Sequence, residues 1–504
     1  MSAGRTWIGV DLGTQSVRAL AADDAGTVLA SASRPLRSTR WQEPDGTARH
    51  EQDPHTWCDR SSEALAEVVA TVGAGTVAGL AVDATSGTVA LVDDDGAALT
   101  PGVMYDDDRG SAHAAAARDA GAATWGRLGL RIGTTWALPT LLALLAGQPA
   151  GRTTPRAHVA HQTDVVARWL VGRPVATDSS SALKTGYDAE NHRWPVEVFA
   201  ELGVEPDTLP VVVAPGAALG VVGPDAAAAT GLRAGTPVRA GMTDGCAAQL
   251  GAGAVTPGAW NAVLGTTLVL KGVTTSLVHD PAGTVYSHRA PQGGWWLPGG
   301  ASSTGAGVLA DLIDPERFDA ITARLAADPP GTVPVAYPLA GRGERFPFAA
   351  EDAEGFWLDG GRTRPLSELV GAVGEDAAFA ALCEGVACVE RMAVEHLAAL
   401  GAEVSGDYTV SGGATRNRWW TGRRADLLGV AAQVPETAEP AFGMALLARA
   451  GVDADAAGDG GGPDVAAAAS AMVRIAEVVE PHADPALQER YEAFRTALAG
   501  RGWT

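Results

Sequence analysis

Residues 241–271 read GMTDGCAAQLGAGAVTPGAWNAVLGTTLVLK, and their reading decides the fold. Asp244 stands beside Gly245 among small residues, where a ligand can approach the backbone. Further on, the apolar run Trp260–Leu264 ends in Gly265-Thr266-Thr267, and a second apolar run leaves at once. A strand–Gly-Thr-Thr–strand hairpin offers backbone N–H groups and two hydroxyls in a tight turn, which suits phosphate oxygens. A lone base beside a phosphate cradle is what phosphoryl transfer to an alcohol requires. An acid opening a helix, followed by an ordinary hairpin, would leave the same letters. The stretch alone leaves both readings open.

A second stretch bears on the choice. Residues 6–11, TWIGVD, form an apolar strand ending in an acid, turned by Leu12-Gly13-Thr14-Gln15-Ser16 into a second strand, Val17–Ala22. Asp23-Asp24-Ala25-Gly26 turns the chain again into Thr27–Ser33, so the pattern is a β-meander. It lacks the GxGxxG of a dinucleotide-binding unit, so no nicotinamide cofactor is expected. An acid at a strand end beside a Gly-Thr turn suits a hydrated Mg²⁺, although a capped turn explains it too. Leu12-Gly13-Thr14 aligns with Leu264-Gly265-Thr266, each between apolar strands, and the second copy lacks the acid. The match predicts two similar halves facing one nucleotide, each with a phosphate hairpin, only the first positioning a metal.

Between these hairpins, Thr56–Val72 has the spacing of an amphipathic helix with Trp57, Leu65 and Val68 inward. Val77–Ala81 begins a buried strand that runs into Asp83-Ala84-Thr85-Ser86-Gly87-Thr88, whose small polar residues suit hydroxyl recognition or a plain turn. Asp106-Asp107-Asp108-Arg109 reads as a solvated run or as a sugar-facing acid, with Asp106 and Asp107 both open for that part. Ala114–Ala120, Pro139–Leu145 and Thr163–Val171 look helical, and Asp178–Asp188 reads as a polar loop. A domain boundary is expected near Val238, giving domains 1–238 and 239–504 with Asp244 in the second. Ala301-Ser302-Ser303-Thr304-Gly305 precedes a predicted helix whose hydroxyl-rich start suits phosphate. Ala377–Leu400 is a long helix, and Tyr408–Val410 runs into Ser411-Gly412-Gly413, a glycine pair on which a flat ring can lie. Gly458–Gly462 reads as a flexible linker. Asp484 and Pro485 open a closing helix with Leu487, Tyr491, Phe494 and Leu498 on one face.

Composition narrows the class. The chain has 504 residues, 46% hydrophobic and 19% charged, enough for two large domains with separate cores. Its net charge of −22, from 37 basic and 59 acidic residues, argues against nucleic acid or an anionic membrane as the main partner. Four cysteines without metal-ligand spacing point to a reducing compartment and no disulfide framework. No apolar run approaches the ~18 residues of a membrane span, and the first strand begins without a signal core, so a cytoplasmic protein is expected.

Four ordered motifs together resemble the FGGY carbohydrate kinases of the sugar-kinase/actin/Hsp70 ATPase fold. They are Val10–Ser16, Gly241–Asp244 with Gly251-Ala252-Gly253, Leu264–Thr267, and Ser411-Gly412-Gly413 with Asn417-Arg418-Trp419-Trp420. Gly343-Glu344-Arg345-Phe346-Pro347-Phe348 and Ala438–Ala445 support them. The resemblance implies an α/β fold of two duplicated ribonuclease H-like domains with a cleft between them. It implies transfer from ATP to a terminal hydroxyl of a ketopentose, with D-ribulose first and D-xylulose or another pentulose or polyol as alternatives. In that reading Asp244 is the catalytic base and Asp11 orients Mg²⁺. Gly13, Thr14, Gln15, Gly265, Thr266, Thr267 and Gly305 grip phosphates, and Gly412, Gly413 and Asn417 take the adenosine. Ser86, Gly87 and Asp107 join Asp244 at the sugar. The chain lacks the Arg-Glu pair of glycerol kinases near Ser86 and the Met-His-Gly of xylulokinases in that loop. A homodimer is left open as the assembly, a non-catalytic sugar or nucleotide sensor is the alternative of another class, and an actin- or Hsp70-like ATPase acting on proteins is a third.

Overall fold

The computed structural model describes residues 4–148, 156–328, 330–458 and 462–504. The chain divides into two compact units. The first comprises Met1–Val255, His288–Leu297 and Thr437–Val473; the second comprises Thr256–Ser287, Pro298–Glu436 and Arg474–Thr504.

The first unit is built on strands β1 (Thr6–Leu12), β2 (Ser16–Asp23), β3 (Val28–Pro35), β4 (Val77–Ala84), β5 (Ala218–Val221) and β6 (Pro237–Arg239). Across the sheet they run β3-β2-β1-β4-β6-β5, with β1 antiparallel to β2 and parallel to β4. The meander expected from residues 6–33 is present. Side chains alternate across β1, so Ile8, Val10 and Leu12 enter a core with Trp57 and Leu65 of helix Pro54–Val72. Gly9 faces the other way, onto helix Pro440–Ala457, where a Cβ would sit 1.7 Å from the Ala441 carbonyl oxygen. Only glycine lets the helix backbone lie that close to the strand. A five-stranded sheet of Thr39–Gln42, Ala48–Gln52, Gly102–Val103, Val89–Val92 and His158–His161 carries the loops that follow β4.

The second unit repeats the plan. Its strands are β7 (Trp260–Leu264), β8 (Leu268–Gly272), β9 (Tyr286–Arg289), β10 (Trp296–Ala301), β11 (Tyr408–Ser411), β12 (Ala432–Pro435) and β13 (Ile475–Val479). Their order is β9-β10-β8-β7-β11-β12-β13. Leaving out the edge strand β9, strand directions match the first sheet one for one: a three-stranded meander, two parallel strands, then an antiparallel edge. Helix Glu375–Ala399 runs through the core of this unit, and helix Pro485–Ala499 buries Leu487, Tyr491, Phe494 and Leu498 as its spacing predicts. Asp484 caps that helix by accepting the Leu487 N–H at 2.9 Å.

Three expectations change. The single boundary near Val238 gives way to one at Val255, and Asp244 belongs to the first unit. Helix Asp244–Gly251 packs against helix Pro440–Ala457 and β4, so a return of the chain at Thr437–Val473 completes the first unit. The polar loop Asp178–Asp188 is buried and partly helical, because Asp178 accepts from the Ser181 N–H and hydroxyl at 2.8 and 2.7 Å. Within the expected linker Gly458–Gly462, Gly458 ends helix Pro440–Ala457 in a left-handed cap, and residues 459–461 lie outside the described residues.

Candidate active site

The acids of the first unit converge because of strand register. Asp11 ends β1 and pairs with Asp83 on the neighbouring parallel strand β4, while Arg18 of β2 opposes it on the other side. One residue past Asp83, Ala84 forms a parallel bridge with Thr243, which brings Asp244 to the same strand ends. Gly241 permits this approach, since a Cβ there would meet the Val82 carbonyl oxygen at 1.8 Å. Asp244 is the first residue of helix Asp244–Gly251, and its Oδ1 accepts the Gly245 N–H at 2.7 Å. The preceding Thr243 is held by Ser180, whose hydroxyl also meets His288 Nδ1 at 3.2 Å.

Burial dominates the electrostatics of this group. It pushes the Asp11 carboxyl up to about 6, helped by the charge of Asp244 and opposed by a hydrogen bond with the Asp83 carboxyl and by Arg18. Burial likewise holds the Asp83 carboxyl well above its usual range, with the charges of Asp11 and Asp244 adding to the effect. Arg18 is drawn off by an ion pair with Glu439 at 2.6 Å. Among the described residues, no three His, Cys, Asp or Glu side chains converge as direct metal ligands.

The first hairpin turns tightly, with the Gly13 N–H donating to the Ser16 carbonyl at 3.0 Å. The Thr14 carbonyl accepts from Gln52 Nε2 at 2.7 Å and the Gln15 carbonyl from the Leu36 N–H at 2.8 Å. Among the described residues the N–H groups of Thr14 and Gln15 make no backbone hydrogen bond.

In the second unit, the Gly265 N–H donates to Thr267 O at 3.1 Å, and the Gly265 and Thr266 carbonyls accept from Ala306 and Gly307 at 2.9 and 3.1 Å. Among the described residues the Thr266 and Thr267 N–H groups likewise make no backbone hydrogen bond. Gly305 packs on this hairpin: a Cβ would stand 2.4 Å from the Thr266 carbonyl oxygen. Gly412 does the same at Leu264, 2.5 Å from its carbonyl oxygen, with φ +91°. Gly413 beside it is exposed and open.

Several sequence candidates are placed differently from what was expected. Asp107 is completely buried, and its carboxylate accepts from the His50 backbone N–H, the Arg109 backbone N–H and the Arg109 guanidinium through Nε and Nη2 at 2.7–2.9 Å. All four lone-pair positions are taken, so it positions Arg109 and has none left for a sugar. Asp106 is the more open acid, bonded to His50 Nδ1 at 2.5 Å and to Arg40 at 2.9 Å. Asn417 caps helix Arg418–Leu428 by accepting the Trp420 N–H, and its amide donates to Thr322 at 2.8 Å. The hydroxyls of Ser302 and Thr304 donate to the buried Glu344, which leaves them no phosphate role and gives the Gly343–Phe348 motif its purpose. Gly87 has φ +101° and is buried, and the Ser86 hydroxyl beside it is buried without a partner.

Sequence reasoning placed Asp83 in a stretch suited to hydroxyl recognition or a plain turn and missed its pairing with Asp11. The signal was present as two apolar strands each ending in Val-Asp, at Val10-Asp11 and Val82-Asp83.

Two duplicated α/β units, each a meander joined to parallel strands, with carboxylates and an open hairpin in the first, define a sugar-kinase-type ATPase fold. Residues 6–251 match the N-terminal domain and residues 260–451 the C-terminal domain of the FGGY family of carbohydrate kinases. The chain belongs to that family and is a carbohydrate kinase. A xylulose kinase of Streptomyces rubiginosus is 30% identical over 98% of this chain and 95% of its own length. An apulose kinase of Pectobacterium atrosepticum is 26% identical over 98% and 97%. The crystal structure of xylulose kinase from Rhodospirillum rubrum superposes with a TM-score of 0.81 at 28% identity, covering 98% of this chain and 99% of that one. The family implies ATP and a sugar as substrates. No helix among the described residues is long and apolar enough to cross a membrane.

Proposed function

We propose that the chain transfers the γ-phosphoryl group of ATP to a terminal hydroxyl of a ketopentose, with D-xylulose as the first candidate. The full-length similarity to a xylulose kinase at 30% identity carries the choice of sugar. D-ribulose is the second reading, favoured by the missing Met-His-Gly in the loop Ala84–Thr88.

Asp244 takes the proton of the sugar hydroxyl as its oxygen bonds to phosphorus and the bond to ADP breaks. Its position at a helix start, beside Thr243 and Gly245, holds the carboxylate in one orientation. Thr14 and Gln15, and separately Thr266 and Thr267, supply turn N–H groups and hydroxyls as phosphate donors, with Gly265 shaping the second turn. Gly412 and Gly413 offer bare backbone to the adenosine. Ser86 and Gly87 take the sugar, with Asp106 in place of Asp107.

The residues fit Mg²⁺. Asp11 lies among like charges that raise its affinity for any cation, and among the described residues no basic side chain bonds to the buried Asp83 carboxyl beside it. Asp11 would hold the ion through its water shell, and the bound ion would offset phosphate charge in this acidic protein.

The test is an ADP-coupled assay with D-xylulose, D-ribulose, L-xylulose, L-ribulose, ribitol and glycerol. The expected result is the highest kcat/KM for D-xylulose. Preference for glycerol would overturn the ketopentose reading. ADP release indifferent to every sugar would favour an ATPase acting on proteins, and no ADP release with any sugar would favour a sensor.

A further inference from the structure

Asp83 poses a question that the catalytic reading leaves unanswered. It is fully buried, no basic side chain or hydroxyl among the described residues bonds to it, and its side-chain hydrogen bond is shared with another acid, Asp11. A buried carboxylate without donors is costly unless something positive satisfies it. The neighbouring groups do not supply it: Asp11 is its register partner, Asp244 follows the Ala84–Thr243 bridge, and Arg18 is paired with Glu439. One shared proton would leave net negative charge in this cluster.

The second unit shows that the fold itself does not require an acid here. At the register pair equivalent to Asp11 and Asp83 it has Val263 and Ser411, and the Ser411 hydroxyl donates to Asn261 Oδ1 at 3.1 Å. Where the pair is neutral, its polar member is satisfied internally. Where it is acidic, Asp83 has only a second carboxyl to pair with.

We propose that Asp83 joins Asp11 in holding the divalent cation, so that the ion is shared by the ends of two adjacent parallel strands. Two carboxylates without a third direct protein ligand suit a cation that keeps most of its water shell, as Mg²⁺ does. The inference rests on the proposed role of Asp11 at the metal.

The test uses Mn²⁺ as the probe, titrated into the full-length chain with ADP present and free Mn²⁺ followed by electron paramagnetic resonance. Wild type, Asp11→Asn, Asp83→Asn and Asp83→Ser are compared, the last copying Ser411; cooperative thermal unfolding confirms that each folds. The expected result is a Mn²⁺ Kd raised by about tenfold or more in both Asp83 variants. Those variants should also lose the thermal stabilisation that Mg²⁺ gives wild type and melt no lower than wild type in EDTA. Weakening in Asp11→Asn with unchanged affinity in both Asp83 variants would overturn this inference alone. Unchanged affinity in all three would overturn it together with the metal role of Asp11. A raised sugar KM at unchanged Mn²⁺ affinity would assign Asp83 to the sugar and overturn the inference equally.

Discussion

The two halves share a strand plan and differ where chemistry begins. In the first, β1 and β4 end in Asp11 and Asp83, with Arg18 across the meander. In the second, the same places hold Val263, Ser411 and Val269. The hairpins differ as well. Four residues lie between Leu12 and its partner Val17, but three between Leu264 and Leu268. The second turn is braced by the backbone of residues 305–307, the first by the side chain of Gln52, which also accepts from Trp57 Nε1 at 2.7 Å. A duplicated scaffold thus keeps its donor-rich turns in both copies and places charge in one.

The sharpest way to break this asymmetry is at Asp244. Asp244→Ala should lower kcat by about 10²–10⁴-fold, the range for a general base, while ADP and sugar still bind by calorimetry. Retention of most turnover would move the base elsewhere. Asp11→Val, which writes the second half's residue into the first, should cost about 10–100-fold and raise the Mg²⁺ needed for half-maximal rate. An unchanged Mg²⁺ dependence would remove the distinction between the halves.

Glycine substitutions sharpen the contrast between the turns. Gly412→Ala forces a left-handed φ on alanine and drives its Cβ into Leu264, so about 1–3 kcal/mol of stability should be lost. A Cβ on Gly13 meets only the Ser16 carbonyl oxygen at 3.4 Å, so Gly13→Ala should leave the melting temperature nearly unchanged. Equal losses in thermal melts would contradict the difference.

The first half should also answer pH between about 4.5 and 7, where its raised carboxyls titrate, although it shares lowered carboxyls such as Asp107 and Asp188 with the second half's pattern. In the first unit, burial raises Asp178 to about 6, as it does Asp11. A raised carboxyl binds its proton more tightly folded than unfolded, so its stabilising contribution is complete below about pH 4 and is lost as pH rises through about 6. For Asp178 alone the swing is about 3 kcal/mol, and Asp178→Asn should flatten it in denaturant titrations between pH 4 and 7. In the second unit, donors hold Asp280 and Asp484 below the usual range against the opposing effect of burial. Their contribution is present at neutral pH and is lost only as the solution turns acidic past their lowered values. Hydrogen exchange at pH 4.5 and 7 should show the first unit tightening at the lower pH; loosening there would refute the assignment.

Much of this was legible in the letters because it is local. Strand–turn–strand spacing placed both hairpins, and the Asp-Pro start with four apolar residues on one face placed the closing helix. What escaped depends on partners distant in sequence. Asp83 gains meaning only from the parallel register with Asp11. Asp107 looked available until His50 and Arg109 were seen to occupy its lone pairs. The Ser302 and Thr304 hydroxyls resembled phosphate donors until Glu344, some forty residues on, took them. The boundary near Val238 failed because its correction lies in Thr437–Val473.

That returning segment has a consequence for how the protein is made. Helix Pro440–Ala457, whose backbone lies against Gly9, leaves the ribosome more than four hundred residues after β1. At roughly 5–20 residues per second, the delay is roughly 20 to 90 seconds. Throughout it, one face of that strand waits uncovered, so the nascent first unit depends on whatever shields it until this helix arrives.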